Sequence, residues 1–366
     1  KKKDGATFSG TSFVVSVTMV YPNIPRANAG TVTLAVDETP LFIDEFPPIA
    51  SFTDVYSFNN TANRGGSTFV KGNNADVHNC TLIGNNAFNS SSTGLSGRGG
   101  GLDLAGENCK VYDLEVSNNH ADGEGGAVYI KSSDLDLYDI HSVNNTANLG
   151  GSTFIEGHNI KVHNCTLDGN NATLRGGALN ILGDNCTVYD VDVSDNNAGT
   201  DGGAVYVKGN DATFYDVTSF NNTASRGGST FIEGNNAEVH NCTLDGNKAI
   251  SNGTNGSGRG GGLDIAGENC KVYDLDVSDN HADGEGGAIY IKSDDLNIYD
   301  IQSVNNTASL GGSTFIEGNN IVVHNCTLDG NNATLRGGAL NILGNNCTVY
   351  DVDVSDNNAG TDGGAV

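Results

Sequence analysis

From residue 50 onward, short stretches of alternating apolar and polar residues are separated by Asn, Asp and Gly. Val188-Tyr189-Asp190 and Val205-Tyr206-Val207 are two such stretches. A period of two is typical of β-strands, and many of the apolar positions carry β-branched side chains. Helices are unfavourable because Gly, Asn and Asp interrupt every stretch. The pattern therefore predicts a chain of short strands.

The strands recur in an internal repeat. Ser57–Phe69 returns with one change as Ser219–Phe231, and Ala105–Leu114 returns unchanged as Ala266–Leu275, so the long period is 162 or 161 residues. Within it lies a unit of 25 or 26 residues. The twelve units start near residues 50, 75, 109, 135, 160, 186, 212, 237, 270, 296, 321 and 347. A fixed short period of this kind is the signature of a solenoid.

Three polar positions mark each unit, when positions are counted from its start. Position 5 is Asp or Asn, position 11 is always Asn, and the residue before each new unit from Asn74 to Asn346 is Asp or Asn. Position 13 is always Ala, and a Gly-Gly pair follows it. Three polar corners predict an all-β, three-sided parallel β-helix of about twelve turns. At roughly 4.8 Å per turn the rod would be roughly 55 to 60 Å long.

The asparagine at position 11 is predicted to form a structural ladder. A side-chain amide carries donors and an acceptor, so identical amides one turn apart can bond to each other along the rod. The predicted ladder consists of Asn60, Asn85, Asn119, Asn145, Asn170, Asn196, Asn222, Asn247, Asn280, Asn306, Asn331 and Asn357.

Residues 1–49 differ from the repeat domain at 50–366. They hold all five prolines and the single methionine, whereas every cysteine follows residue 79. We expect residues 1–49 to form a small β element that caps the rod or joins it to another. The last unit stops within a turn, so we also expect further repeats, or residues 1–49 of another copy, to cover its open edge.

Two short motifs in the repeat carry a resemblance to known families. One is Gly-Gly-Ala before an apolar residue, as at Gly203-Ala204-Val205, and the other is Phe-Asn-Asn, as at Phe220–Asn222. Over residues 50–366 the chain resembles the repeats of polymorphic outer-membrane proteins and, in composition, the adhesin-like surface proteins of methanogenic archaea. The resemblance implies a right-handed β-helix that is displayed outside the cell and used for attachment.

Composition and charge narrow the function classes. The formal net charge of −26 argues against nucleic acid or an anionic membrane surface as the main partner. Only 37% of the residues are hydrophobic and 51 are Gly, which disfavours an enzyme with a thick core.

The eight cysteines fall in neighbouring turns, as Cys80 and Cys109 do. They are either buried thiols or disulfides, although positions 6 and 1 should not lie directly above one another. The position-4 histidines precede four of these cysteines and are expected to face solvent: His78, His163, His240 and His324. Because the His-Cys pair recurs four times, we interpret it as a duplicated surface feature rather than a catalytic nucleophile and base.

Acidic loops before some Gly-Gly pairs could supply oxygen ligands to calcium. The candidate ligands are Asp122, Glu124, Asp283 and Glu285. The alternative is solvated charge that keeps a rod soluble, and no cofactor is expected.

A row of aromatic residues has an undecided direction. It faces either the core or the outside, where it would suit stacking on sugars or on another rod. Its members are Phe69, Tyr129, Phe154, Tyr206, Phe231, Tyr290 and Phe315.

Many Asn-x-Ser/Thr sequons occur, and two groups of them carry opposite expectations. Those at position 10 and in the insertions are expected to be open to glycosylation: Asn59, Asn89, Asn144, Asn221, Asn252, Asn255 and Asn305. Those at corners are expected to be blocked by their stack: Asn79, Asn164, Asn185 and Asn346.

Taken together, the sequence predicts a non-catalytic, adhesin-like protein of the cell surface, with the solenoid as a stalk or fibre segment. Its partners would be further copies of itself and cell-surface glycans or proteins. The rival prediction is a polysaccharide lyase or hydrolase, since sugar-cleaving enzymes also use β-helices. Such an enzyme needs a unique cluster of catalytic side chains, whereas the acidic groups here recur with the long period.

Overall fold

A computed structural model describes residues 50–89, 97–254 and 256–366, together with the two-residue strand Phe13–Val14. This strand pairs in parallel with Ala50 and Ser51. The β element predicted for residues 1–49 otherwise lies outside the described residues.

The described part of the chain is a parallel β-helix of twelve turns with three sheets, which confirms the predicted fold class. Each strand pairs in parallel with the equivalent strand of the next turn. Val188 pairs with Phe214, for example, and Val205 pairs with Thr230. The described ranges contain no helix, and hence none that could span a membrane.

Sheet 1 holds the longest strands. Its members are Phe13–Val14, Ala50–Thr53, Tyr56–Phe58, Asp76–Ile83, Lys110–Ser117, Asp136–Val143, Ile160–Asp168, Cys186–Ser194, Thr213–Phe220, Glu238–Asp245, Lys271–Ser278, Asn297–Val304, Val322–Asp329 and Thr348–Ser355. Sheet 2 consists of Thr61–Ala62, Asn86–Ala87, His120–Ala121, Thr146–Leu149, Asn171–Arg175, Asn197–Ala198, Thr223–Ala224, Lys248–Ala249, His281–Ala282, Thr307–Leu310, Asn332–Arg336 and Asn358–Ala359. Sheet 3 consists of Thr68–Lys71, Leu102–Ala105, Val128–Lys131, Thr153–Glu156, Leu179–Leu182, Val205–Lys208, Thr230–Glu233, Leu263–Ala266, Ile289–Lys292, Thr314–Glu317 and Leu340–Leu343.

The sequence predicted a corner between two sheets at position 5. The structure instead shows a bend inside the strands of sheet 1 at this position. Cys186–Ser194 runs through Asp190, whose φ is +52°. Asp and Asn tolerate this left-handed conformation better than other residues with side chains. The bend shifts the alternation, so that Val188 and Val191 both point inward although they are three residues apart. One strand can therefore follow the curve of the core without breaking.

The Gly-Gly pair forms the corner that leads from sheet 2 to sheet 3. Gly202 has a φ of +62°, and a Cβ atom on Gly203 would lie 1.9 Å from the carbonyl oxygen of Gly228 in the next turn. Neither position has room for a side chain, because a Cβ atom on Gly202 would collide with the carbonyl of Val205 in the same turn, and one on Gly203 with the backbone of the next turn. Steric exclusion thus accounts for the pair in every turn.

The core is a continuous apolar column enclosed by the three sheets. Sheet 1 contributes Val188, Val191 and Val193, and sheet 3 contributes Val205 and Val207, all at most 1% exposed. Each turn adds the same few aliphatic side chains to the column, so the core grows in length rather than in thickness. Leu343, in the eleventh turn, is 51% exposed, and Val354, in the twelfth turn, is 43% exposed. The expected cover of the last turn remains a prediction.

Candidate functional site

The position-11 asparagines form a continuous stack of side-chain amides, called the amide stack below. From Asn60 to Asn331, the backbone N–H and Nδ2 of each asparagine both donate to Oδ1 of the next one, at 2.8–3.1 Å. From Asn85 to Asn357, Nδ2 also donates to a strand carbonyl of the preceding turn, at 2.7–3.3 Å. Ten of the twelve side chains are buried.

This geometry uses the full hydrogen-bonding capacity of each amide. Asn196, for example, is 1% exposed, donates to Leu167 and Asn222, and accepts two bonds from Asn170. A buried amide is costly only where a donor or acceptor lacks a partner. With every donor and acceptor used inside the rod, the stack has none left for a ligand.

A second stack, of aromatic rings, runs along the outer face of sheet 1 at position 4 and is called the outer ring stack. It comprises His78, Tyr112, Tyr138, His163, Tyr189, Tyr215, His240, Tyr273, Tyr299, His324 and Tyr350. Neighbouring ring centroids lie 4.7–5.4 Å apart, and the ring planes differ by at most 11°. Each ring face inside the stack is covered by its neighbours, so sugars cannot stack on these faces.

The four histidines belong to this outer ring stack, so the expectation that they simply face solvent is only partly right. They are half-buried between tyrosines, and His163 also lies 3.1 Å from an oxygen of Asp136. The neighbouring cysteine thiol points the other way, because Sγ of Cys165 donates to the backbone carbonyl of His163 at 3.1 Å. The same bond occurs in the three other copies. Imidazole and thiol therefore do not form a nucleophile-base pair.

All eight cysteines are free thiols, and seven are buried. Cys165 pairs with Val191 across the turns and Cys186 pairs with Ile160, so positions 6 and 1 do not stack on each other. Burial raises the pKa of the Cys165 and Cys186 thiols to about 12. A thiol that stays protonated at neutral pH is neither a good nucleophile nor a metal ligand.

The aromatic row left undecided by the sequence lies on the outer face of sheet 3, yet it is buried. Its rings alternate with core residues, as Tyr129 does with Val128 and Ile130, and Tyr129 is 1% exposed. The arginine side chains that directly precede Gly-Gly pairs cover it, with guanidinium carbons 4.2–4.9 Å from five ring centroids. Cation–π contact of this kind stabilises the cover. The row, named the covered ring row, is closed to sugars.

Two buried aspartates interrupt the covered ring row, at equivalent places in the two long repeats. Asp103 accepts two bonds from Arg64, at 2.8 and 3.2 Å. Asp264 is also fully buried, but neither carboxylate oxygen accepts a hydrogen bond, and Nη2 of Arg259 lies 3.4 Å away.

The difference between the two aspartates comes from one residue of the preceding turn. Arg226, the counterpart of Arg64, donates instead to Asp201 at 2.6 Å. Burial therefore raises the pKa of Asp264 to about 7, and the carboxylates of Asp201 and Glu285 add to the effect, against the attraction of Arg259 and Arg226. A buried carboxylate without donors favours its protonated form.

The candidate calcium ligands do not come together. Oδ1 of Asp122 lies 3.1 Å from Nε2 of His120, while Oδ2 accepts from the backbone N–H of Asn89 at 2.7 Å. The N–H of Asn89 is the main reason why the pKa of Asp122 is lowered. Glu124 instead lies 3.9 Å from Arg98.

In the second long repeat Asp283 repeats these contacts, with His281 at 3.1 Å and the backbone N–H of Ser251 at 2.7 Å. The described residues contain no group of three or more His, Cys, Asp or Glu side chains that could hold a metal ion. Calcium binding at Asp122, Glu124, Asp283 and Glu285 therefore has no geometric support.

An open groove of about 520 Å³ lies on the outer face of sheet 1. Its polar lining consists of Asn241, Thr243, Asp274, Asp276, Asp300, Gln302, Asn325 and Thr327. The carboxylates are not unique, because the same positions 161 residues earlier hold Asp113, Glu115 and Asp139. The groove is therefore one part of a repeated acidic surface.

The sequons differ in how their amides are used. Asn59, Asn144, Asn221 and Asn305 are exposed at left-handed bends. The amides of the second group of sequons donate to the preceding turn, although all four side chains are exposed. Asn79 donates to Asp54, Asn164 to Asp139, Asn185 to Asn159 and Asn346 to Asn320. Asn89 and Asn252 are exposed, and Asn255 lies outside the described residues.

Two segments, residues 113–131 and 274–292, match the family model of the Chlamydia polymorphic membrane protein repeat. They are the same stretch of the two long repeats, and each contains an asparagine of the amide stack, a Gly-Gly pair and a strand of sheet 3. No curated protein and no solved structure matches the chain. The resemblance to polymorphic membrane protein repeats is thus confirmed for these segments, whereas the one to methanogen surface proteins stays a prediction.

Sequence reasoning missed the outer ring stack and the arginine cover. The sequence contains a signal for the outer ring stack, since position 4 is Tyr or His in eleven turns, from His78 to Tyr350. The signal for the arginine cover is weaker, because the residue before the Gly-Gly pair is Glu, Leu or Asp in other turns.

Replacing Asn196 with Leu is expected to destabilise the rod more than replacing its exposed neighbour Asn197 with Leu. The first change leaves the backbone N–H and Nδ2 of Asn170 without their acceptor, at about 1 to 3 kcal/mol for each unpaired group, and removes one donor each from the Leu167 carbonyl and Oδ1 of Asn222. Asn197 donates only one exposed bond, to Asn171 at 2.7 Å. Thermal and urea unfolding of both variants would measure the difference, and equal stabilities would contradict the role given to the amide stack.

Asp264→Asn is expected to stabilise the rod at about pH 8 but not at about pH 4.5. Because the pKa is raised on folding, from 3.8 to about 7, the charged form penalises the folded state increasingly as pH rises through this range. The variant removes that penalty, by roughly 1 to 4 kcal/mol.

The matched control is Asp103→Asn. Burial raises the pKa of Asp103 as well, but the two bonds from Arg64 oppose this effect, so neutralising Asp103 should stabilise the rod at pH 8 by less than neutralising Asp264. Urea unfolding at both pH values distinguishes the two variants. A gain in stability at pH 8 that is no larger in Asp264→Asn than in Asp103→Asn would refute the proposed charge penalty at Asp264.

Proposed function

We propose that this chain is a non-catalytic, adhesin-like protein of the cell surface and that its β-helix acts as a stalk or fibre segment. The observation that carries the proposal is the repetition of the outer surface. The outer ring stack, the corner Asp and Asn residues and the acidic groove all recur along the rod. A surface with equal groups at regular intervals suits spacing and multivalent contact better than chemistry at one point.

The two polymorphic membrane protein repeats support a surface location. The methanogen-type origin, the fibre and the end-to-end association with other copies belong to the proposal. Attachment would use the outward polar rows and the edges of the outer ring stack, and its partners would be cell-surface glycans or proteins. A mostly acidic surface with a formal net charge of −26 would repel nucleic acid and anionic lipid.

We also propose N-glycosylation at Asn59, Asn144, Asn221 and Asn305. Their side chains are exposed at bends of the backbone, where a bulky sugar would point away from the rod. The insertions offer the exposed Asn89 and Asn252 as further acceptors, and Asn255 is proposed from the sequence alone. Sugars at these places would cover the rod without touching the amide stack.

A hydrolase or lyase remains the rival, and one observation favours it. Asp274, Asp276 and Asp300 line a common groove, and paired carboxylates are the usual catalytic groups of glycoside hydrolysis. All three are exposed or half-buried on an open surface, where water is not excluded and electrostatic catalysis is weak.

An antibody against residues 97–254 is expected to label intact and permeabilised cells that produce the protein to the same extent. Labelling is expected because a surface stalk presents its repeats to the medium. Flow cytometry of both preparations measures it. Labelling only after permeabilisation would contradict the surface function.

An assay of the purified protein distinguishes a stalk from an enzyme. It measures the release of reducing sugars and unsaturated ends from neutral and anionic glycans. The proposal predicts no sustained turnover. Turnover that is lost in Asp274→Asn/Asp300→Asn, and kept in the matched pair Asp190→Asn/Asp216→Asn outside the groove, would establish the rival function.

A further inference from the structure

The outer ring stack has a regular order that creates three tyrosine pairs. Each of the first three histidines is followed by two tyrosines and His324 by Tyr350, so tyrosines of adjacent turns meet at three places in the stack. The pairs are Tyr112 with Tyr138, Tyr189 with Tyr215, and Tyr273 with Tyr299, with ring centroids 4.8, 4.9 and 4.8 Å apart and planes within 7° of parallel. A histidine separates each pair from the next.

Each paired ring is held between one tyrosine, its partner, and one histidine. Its Cα atom sits in a strand that is hydrogen-bonded to the strand carrying the other ring, as Tyr189 and Tyr215 are in register. The rings are half-buried, so one edge with the phenol group faces solvent. The hydroxyl of Tyr273 also donates to Oε1 of Glu238 at 2.8 Å, which gives its proton an acceptor.

This arrangement fits the chemistry of phenol coupling. A one-electron oxidant takes an electron from each phenol, and each phenol loses its hydroxyl proton. Two phenoxyl radicals then form a carbon–carbon bond between their ortho positions, and the two ortho hydrogens move to the oxygens to restore both phenols. With hydrogen peroxide as the final oxidant, two tyrosines and one peroxide give one dityrosine and two water molecules.

We propose that the outer ring stack is a modification site, at which a haem peroxidase with hydrogen peroxide joins Tyr112 to Tyr138, Tyr189 to Tyr215 and Tyr273 to Tyr299. The pairing is intramolecular because the partner ring is already in contact, whereas another molecule must arrive within the lifetime of the radical. Histidine between the pairs stops the reaction from extending along the stack.

The cross-links would join adjacent turns covalently at regular intervals along the rod. Each joins two adjacent turns and closes a loop of 26 residues, as from Tyr189 to Tyr215. A solenoid unfolds locally because each turn contacts only its neighbours, so a covalent link between turns opposes unzipping. The free cysteines provide no such link.

The covered ring row provides an internal control. Tyr129, Tyr206 and Tyr290 are at most 1% exposed, and each stacks on a phenylalanine, at 5.6, 5.7 and 5.6 Å between centroids. A phenylalanine partner cannot form a phenoxyl radical. These three tyrosines should therefore take no part in the coupling.

The test is oxidation of the whole purified chain by a haem peroxidase with hydrogen peroxide, followed by isolation of the monomer. The monomer is expected to gain dityrosine fluorescence, to lose the mass of two hydrogen atoms per cross-link, and to yield peptides joined at the three pairs. Fragmentation spectra identify the linked tyrosines, since Tyr112 and Tyr129 lie in one tryptic peptide.

Two triple variants with the same number of tyrosines complete the experiment. Tyr138→Phe/Tyr215→Phe/Tyr299→Phe keeps every ring of the stack and is expected to lose at least about nine tenths of the fluorescence of the monomer. Tyr129→Phe/Tyr206→Phe/Tyr290→Phe is expected to keep it. Equal fluorescence in the first variant and the wild type, cross-links that involve Tyr129, Tyr206 or Tyr290, or products confined to dimers would each overturn the proposal.

Discussion

The asparagine amide at position 11 is the interaction on which the rest of the rod depends. Its Oδ1 accepts two bonds from the preceding turn, while its backbone N–H and Nδ2 donate to the following one. Such a stack holds only when every turn places the same residue at the same height. It therefore fixes the number of residues per turn, and insertions are accepted only in the loop after sheet 2, as at Phe88–Gly97.

Because every turn has the same layout, each outward-facing position forms a row of side chains along the rod. Identical or similar side chains then meet one turn apart, and the energy of a row depends on whether its members attract each other. Rings stack at position 4, and Lys208 meets Glu233 in sheet 3 at 2.7 Å. Where two acidic side chains compete for one arginine, as Asp201 and Asp264 do for Arg226, a carboxylate remains buried without a donor. Repetition of the same positions in every turn thus adds up favourable contacts between turns, and it adds up unfavourable ones as well.

The sequence predicts the features that depend on the period of the repeat. It misses those that depend on the direction in which a side chain points. The number of turns, the parallel pairing and the three-sided shape follow from the spacing of Asn, Ala and Gly-Gly. The bend at Asp190 does not, because Asp and Asn are equally suited to a corner between sheets and to a left-handed residue within a strand. That bend shifts which side chains of sheet 1 face inward after position 5. The direction of the covered ring row in sheet 3 stayed undecided for another reason, because its rings alternate with aliphatic residues and either set could fill the core.

The central claim is that the amide stack is formed in every turn and is closed to solvent. Residue-resolved hydrogen exchange on the intact chain tests it most directly. The account predicts that the backbone N–H of Asn170, Asn196 and Asn222 exchanges as slowly as that of Val188 in the core, because each donates to a buried Oδ1 in the next turn. Exchange at these asparagines as fast as at the exposed insertion residue Gly253 would contradict it.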